Sequence, residues 1–424
     1  MNFDLILAII FYLIVLLFYY KNKKRFEVQG KIFLLYKTKW GLKLMDKIAS
    51  KPSKNSQKIG LISILLSIVI FLLFKSLLIP LILLILGLIL IKPLKILGFL
   101  GILTGFAGMI FIFYYLIVAT YKLIFVPNAI PALAPVLPGI KVLPGLPILG
   151  FWHWIITILI VAGIHEFSHG IYARYHKIKI KSSGFAFLGP ILAAFVEPDE
   201  KQLKKKSKKA QLEVFSAGPF SNIITGFLLL LFIPLIFTPI GNAIAQPDGL
   251  IILDVQDNLS IYNAGIESGT KIIGVNDVQT LDGISFFNEF QKYNESFILN
   301  TNKGDYELKP DEDHKLGVTL EEAVKPKENI SPFILSIYLW IKTLLSWLFM
   351  ISIGIGLFNL LPLGPVDGGR MFYTSLSIFI KDEKKIKNIW SYVGFTCLAL
   401  IVINLLPFLF KLILFIFQPI INLF

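Results

Sequence analysis

Eight runs of apolar residues, at about 3–20, 59–74, 77–91, 96–121, 151–175, 211–238, 332–357 and 388–407, dominate the chain. A bilayer core of roughly 30 Å is crossed by about 20 apolar helical residues, so runs of this length and number point to a polytopic α-helical membrane protein. Composition agrees: 55% of residues are hydrophobic, only 16% are charged, and the mean hydropathy is +0.74. That balance excludes a water-soluble globule and a disordered chain. The first run has the length of a signal peptide but lacks a basic n-region and a small-residue cleavage site, so it reads as a retained helix. Lys75 and Pro80 break the pair 59–74 and 77–91, which fits either a tight transmembrane hairpin or a partly interfacial one. The apolar tail 408–424 is too short to assign as a span.

The net charge of +14 acquires meaning once it is divided along the chain. Residues 21–58 hold twelve Lys and Arg against two acids, and residues 174–209 hold ten against three, so both belong on the cytoplasmic side. Four apolar runs separate them, an even number that returns the chain to the same face. The Pro-rich segment 127–147 and the polar stretch 242–330 then lie outside, and the latter carries seven Lys against sixteen Asp and Glu. The basic excess is therefore a topology signal that also suits anionic lipid headgroups, not nucleic acid. The single Cys397 excludes an intramolecular disulfide and any zinc site of paired thiolates. A metal in this chain must use His and carboxylates.

Such residues occur together at His165-Glu166-Phe-Ser-His169, an H-E-x-x-H pattern inside an apolar run. Positions i and i+4 share a helical face, so both imidazoles can reach one metal ion, with Glu166 beside them to take a proton from a water that the metal activates. Zinc suits this chemistry, because it acidifies water and polarises a carbonyl. Ionisable groups within a membrane span are costly, which makes the cluster a functional candidate by default. Two His leave a catalytic zinc short of a third protein ligand. His153 lies about 120° round the helix from His165 and is flanked by Trp152 and Trp154, as in an aromatic belt. His176 falls in the basic loop and His314 in the polar insert. Asp367, just past the long run 332–357 and among helix-breaking Pro and Gly, is the better candidate.

With these residues together, the chain resembles the site-2 protease family of intramembrane zinc metalloproteases. The resemblance rests on His165-Glu166-x-x-His169, on Ala217-Gly218-Pro219-x-x-Asn222, and on Asn359-x-x-Pro362 followed by Asp367-Gly368-Gly369. It covers roughly residues 150–243 and 330–380. The family's second Pro in the last motif would fall at Gly364, whereas this chain has Pro365. The resemblance implies that His165, His169 and Asp367 bind zinc and that Glu166 is the general base. Asn222 would line the site, with oxyanion stabilisation as one role and helix capping or interhelical hydrogen bonding as the other. Asn359 would help to seat substrate. It also implies a re-entrant β-hairpin within 177–200, where an exposed strand edge could capture unwound substrate; a plain amphipathic loop is the alternative reading of the same residues.

Residues 248–320 contain short β-type runs separated by Gly and Asn turns. The series Asn263-Ala264-Gly265-Ile266 and Ile272-Ile273-Gly274-Val275-Asn276 is similar to prokaryotic PDZ domains, which implies either capture of an extended peptide or occlusion of the active site. The expected organisation is an N-terminal transmembrane extension of about four spans (1–121) and a first part of the protease core (122–243). An extracytoplasmic PDZ-like domain (244–328), a second part of the core (329–381) and C-terminal transmembrane segments (382–424) follow. The expected function is a multi-pass cell-membrane zinc endopeptidase that cuts transmembrane protein substrates in regulated intramembrane proteolysis, its site towards the cytoplasmic half. The rivals are another integral H-E-x-x-H peptidase, which would take a Glu as third ligand, and a zinc-binding transporter or peptide sensor without proteolytic activity.

Overall fold

A computed structural model describes residues 3–29, 33–50, 52–74, 84, 87, 91–127, 129–139, 148–188, 191–256, 259–310 and 315–421. Helices stand where apolar runs end at breakers or charges: α1 (Phe3–Asn22), α3 (Lys54–Phe74), α4 (Pro93–Phe125), α5 (Phe151–Tyr175), α6 (Lys208–Phe232), α8 (Pro332–Phe358) and α10 (Glu383–Ile421). Shorter helices are α2 (Leu42–Ala49), α7 (Gly283–Phe290) and α9 (Asp367–Phe379). Five helices among the described residues are long and apolar enough to cross a membrane: Pro93–Phe125, Phe151–Tyr175, Lys208–Ile244, Pro332–Phe358 and Glu383–Phe410. The run expected at 77–91 and His314 lie outside the described residues, apart from residues 84, 87 and 91 of the former. The ambiguous tail continues α10 as far as Ile421.

The chain divides into two compact units, the first built from Met1–Pro135, Phe151–Leu228 and Trp347–Phe424 and the second from Val136–Gly150 and Leu229–Ser346. In the first unit the helices enclose an apolar core that includes Met109, Tyr172, Val214, Leu360 and Met371. Helix α4 joins this core through Gly98, Gly101, Gly105 and Gly108. An added Cβ at each would press on Tyr172, Ser216, Met371 or Leu360, respectively. Small residues let helix backbones approach closely where lipid offers no hydrophobic driving force. On the C-terminal side, buried Asn404 of α10 donates to Thr120 of α4 (2.6 Å) and accepts from the Ala132 amide (3.0 Å).

The first unit also holds a four-stranded antiparallel sheet in the order β1 (Phe26–Gln29), β2 (Phe33–Thr38), β3 (Ile180–Leu188), β4 (Ile191–Pro198). Strands β3 and β4 form a hairpin within the segment 177–200, so that segment is not a plain loop. Strands β1 and β2 are an addition to expectation, since 21–58 reads from sequence as a basic loop. They are held in place by pairing with β3 in the register Tyr36↔Phe185 and Thr38↔Ser183. Thr38 Oγ1 donates to the Ser183 carbonyl (3.0 Å) and Ser183 Oγ to the Trp40 carbonyl (2.7 Å).

The second unit is β-rich. Its sheet runs β10 (Val318–Pro326), β5 (Ala245–Val255), β6 (Lys271–Val275), β8 (Phe297–Thr301), β9 (Gly304–Leu308), with β7 (Val278–Gln279) paired to β6. The β6–β7 turn is Asn276-Asp277 with φ of 47° and 63°, the left-handed pair that a tight two-residue hairpin needs. Leu250, Ile252, Ile272, Phe286 and Phe297 pack between sheet and α7. Asp282 caps α7, its carboxylate accepting from Ser285 N at 2.8 Å. Asp248 ties β5 to β6 and β10 through Lys271 (2.7 Å) and Lys325 (3.3 Å), and the Lys271 hydrogen bond holds its carboxyl below the usual range.

Candidate active site

Helix α5 carries His165 and His169 one turn apart on one face, as the i, i+4 spacing requires. Asp367 opens α9, where the loop from Asn359 folds back on itself: Gly368 N donates to the Asn359 carbonyl (2.6 Å) and Trp390 Nε1 of α10 to the Gly369 carbonyl (2.9 Å). A Cβ at Gly368 or Gly369 would collide with carbonyls of Leu360, Leu361 or Leu363, so the close fold-back requires glycine at both. The result brings residues about 200 positions apart into one cluster. His165 Nε2 lies 3.1 Å and His169 Nε2 3.2 Å from Asp367 Oδ2, and the two Nε2 atoms are 3.2 Å apart.

Three donors at these separations suit a tetrahedral ion. Ligand atoms at about 2.0–2.1 Å from zinc stand roughly 3.3 Å from one another, close to the edges of this triangle. The donor chemistry fits as well. His169 Nδ1 donates to the Val214 carbonyl of α6 (2.6 Å), which leaves its Nε2 lone pair facing the cluster. Gly218 of α6 sits directly against the pair; a Cβ there would fall within van der Waals contact of Nε2 of both His165 and His169. The Gly of the Ala217-Gly218-Pro219 motif is thus required by the space the imidazoles occupy.

Glu166 faces the hairpin. Its Oε2 accepts the backbone N–H of Val196 in β4 (2.9 Å). A cavity of about 260 Å³ is lined by His165, Glu166, His169, Val196, Asn359 and Asp367, with Arg370 at its margin. Arg370 pairs with Glu200 (3.0 Å) and lies over the Phe215 ring at 5.5 Å. Asn359 lines the cavity, its side-chain amide donating to the Ile355 carbonyl (3.0 Å).

Asn222 meets His165. It is fully buried, its amide nitrogen lies 3.1 Å from Nδ1 of His165, and its Oδ1 has no hydrogen-bond partner among the described residues. Nδ1 is the ring atom remote from the cluster. Of the other His residues, His153 stands on α5 three turns before the cluster, and His176 meets buried Glu213 of α6 at 2.6 Å, joining the two helices. Glu213, the Val214 carbonyl and the Val196 amide escaped the sequence reading. The last two are backbone groups and have no side-chain signature.

A model of peptidase family M50 matches residues 153–402. The chain belongs to peptidase family M50, the site-2 protease family. An uncharacterized protein of Methanocaldococcus jannaschii is 30% identical over 392 residues, covering 90% of this chain and 87% of that protein. That match extends well beyond the part covered by the M50 model and takes in much of the N-terminal extension. As an M50 peptidase this is a membrane metalloprotease, and the five long apolar helices among the described residues suit a multi-pass chain.

Proposed function

We propose that this M50 peptidase is a zinc-dependent intramembrane endopeptidase, cutting a peptide bond within or near a transmembrane helix of membrane-anchored substrates in regulated intramembrane proteolysis. The observation that carries this reading is the His165, His169, Asp367 triangle with Glu166 at the same cavity, buried among apolar helices. His165, His169 and Asp367 would hold the zinc. When bound, the ion would supply Lewis-acid polarisation of the scissile carbonyl and acidify the attacking water. Glu166 takes the proton of that water and returns it to the leaving amine. Among the described residues β4 is an end strand of its sheet, and its Val196 amide already meets Glu166. An unwound substrate segment adding to this edge lies beside the base. Asn359 lines the cavity where the substrate backbone would seat.

In the same reading Asn222 positions His165. Turning its terminal amide by 180° leaves the shape unchanged and brings the unpartnered Oδ1 onto Nδ1, where it accepts Nδ1–H and leaves the Nε2 lone pair free for a metal. The lysine-rich segments 21–58 and 174–209 support a site towards the cytoplasmic half. The β-rich domain, read as PDZ-like and extracytoplasmic, has β9 and β10 as end strands among the described residues, where an extended peptide could add, or it restricts access by bulk.

The test is cleavage of a tagged single-span substrate in reconstituted vesicles. Chelation is expected to stop cleavage, zinc to restore it, and Asp367→Asn to abolish it; undiminished cleavage under both treatments excludes proteolysis at this site. Asn222→Ala is expected to weaken zinc binding by about 10- to 100-fold, with much of the loss recovered in Asn222→Asp, whose carboxylate still accepts from Nδ1–H. Chelator competition measures this directly. An oxyanion role gives a different pattern: Asn222→Ala keeps its zinc affinity, and both variants lose turnover.

A further inference from the structure

The two basic segments meet at one place. A cavity of about 1040 Å³ lies at the end of α1, beside the turn Lys23–Arg25 and strands β1, β2 and β3. Its walls carry Lys24, Arg25, Lys37 and Lys39 from the first segment and Lys181 from the second, against the single carboxylate of Glu27. Lys37 pairs with Glu27 and lies 3.6 Å from Glu197, and Lys181 lies 3.7 Å from the same Glu197. Lys24, Arg25 and Lys39 have no carboxylate within ion-pair distance among the described residues. Three uncompensated cations around one concave space call for an anionic oxygen-rich group.

The surroundings identify where that anion comes from. The apolar run of α1 ends at Tyr20-Lys21, immediately before the cavity. Residues 3–20 of a helix extend about 27 Å, nearly the thickness of a hydrocarbon core, so the cavity stands at headgroup depth. Phe18, Phe26, Tyr36 and Trp40 line it, and Trp40 is 79% exposed, the disposition of interfacial aromatic residues. We propose that this cavity binds the phosphate headgroup of an anionic phospholipid. The volume exceeds that of a bare phosphate and accommodates a substituted phosphodiester. Its walls are also the far side of the catalytic sheet: β2 pairs with β3, β3 with β4, and β4 holds Glu166 through Val196. Occupancy therefore braces the strands that orient the base, and anionic lipid stimulates cleavage. This last effect rests on the protease reading, whereas binding does not.

The test uses the full-length protein in nanodiscs of phosphatidylcholine with increasing phosphatidylglycerol, with retained lipid counted by native mass spectrometry and cleavage of a single-span substrate followed in parallel. The variant Lys24→Gln/Arg25→Gln/Lys39→Gln is compared with Lys201→Gln/Lys205→Gln/Lys208→Gln, which removes equal charge from exposed lysines away from the cavity. Each cation near the membrane surface contributes roughly fivefold to anionic-lipid affinity, so the first variant is expected to lose phosphatidylglycerol retention by on the order of a hundredfold. It also loses the stimulation of cleavage, while the second keeps both. Equal loss in both variants, or loss in neither, overturns the site. Competition by glycerol phosphate at the concentration of the lipid assigns the cavity to a free phosphoester, and displacement of lipid by a soluble polyglutamate peptide assigns it to an acidic polypeptide; either result overturns the lipid. Retention without stimulation overturns the coupling alone. If no lipid supports any cleavage, the protease reading fails while the retention measurement still decides the site.

Discussion

Replacing Glu166 by Gln is expected to lower cleavage of a reconstituted single-span substrate by about 100- to 10,000-fold while leaving zinc content unchanged. The amide has nearly the shape of the carboxylate and its oxygen still accepts the Val196 N–H, so the tie between α5 and β4 survives. What disappears is the ability to take a proton from water and return it to the leaving amine. Zinc analysis of the purified variant, beside its turnover, separates this from damage to the cluster, because none of the three converging atoms belongs to Glu166. A variant that retains cleavage would remove Glu166 from the role of base.

Gly218→Ala is expected to be nearly as damaging by a different route. The new methyl group would occupy space already held by Nε2 of His165 and of His169, and both imidazoles are buried. They cannot rotate away without leaving Asp367, since His169 is also fixed through Val214 and His165 through Asn222. Displacing ligands or reacting groups by about 1 Å costs on the order of 100-fold in rate, and here zinc binding falls with it. The comparison is Gly163→Ala on α5, two residues before His165, where an added Cβ meets open space. That variant is expected to keep zinc and activity, with helix stability unchanged or improved by about 0.5–1 kcal/mol. Equal behaviour of the two alanine variants would show that the imidazoles yield.

The convergence of His165, His169 and Asp367 was legible because its signals are local or chemical. His165 and His169 share one helix, and helical periodicity alone puts them on one face. Asp367 could be inferred from an incomplete ligand set and from the cost of a carboxylate beside a long apolar run. Asn222 shows where such reasoning stops. Its motif announces an amide near the site, but the choice between facing the cavity and facing Nδ1 of His165 depends on the rotation and depth of α6 against α5. The β1–β2 hairpin was hidden for a related reason: its six-residue strand gains stability by pairing with β3, about 145 positions away, and lysines within it read as loop.

The sequence by itself determined the membrane class, most of the helical segments and the kinds of group available to a metal. Apolar run length, charge asymmetry and helical repeat act within a few turns of chain. Tertiary structure alone decided which backbone carbonyl fixes His169, which amide meets Glu166, why position 218 must be glycine, and that two distant basic segments share one cavity. Those facts follow from close packing between elements, where a single methyl group or a rotated amide changes the outcome, and that information is not carried by any one segment.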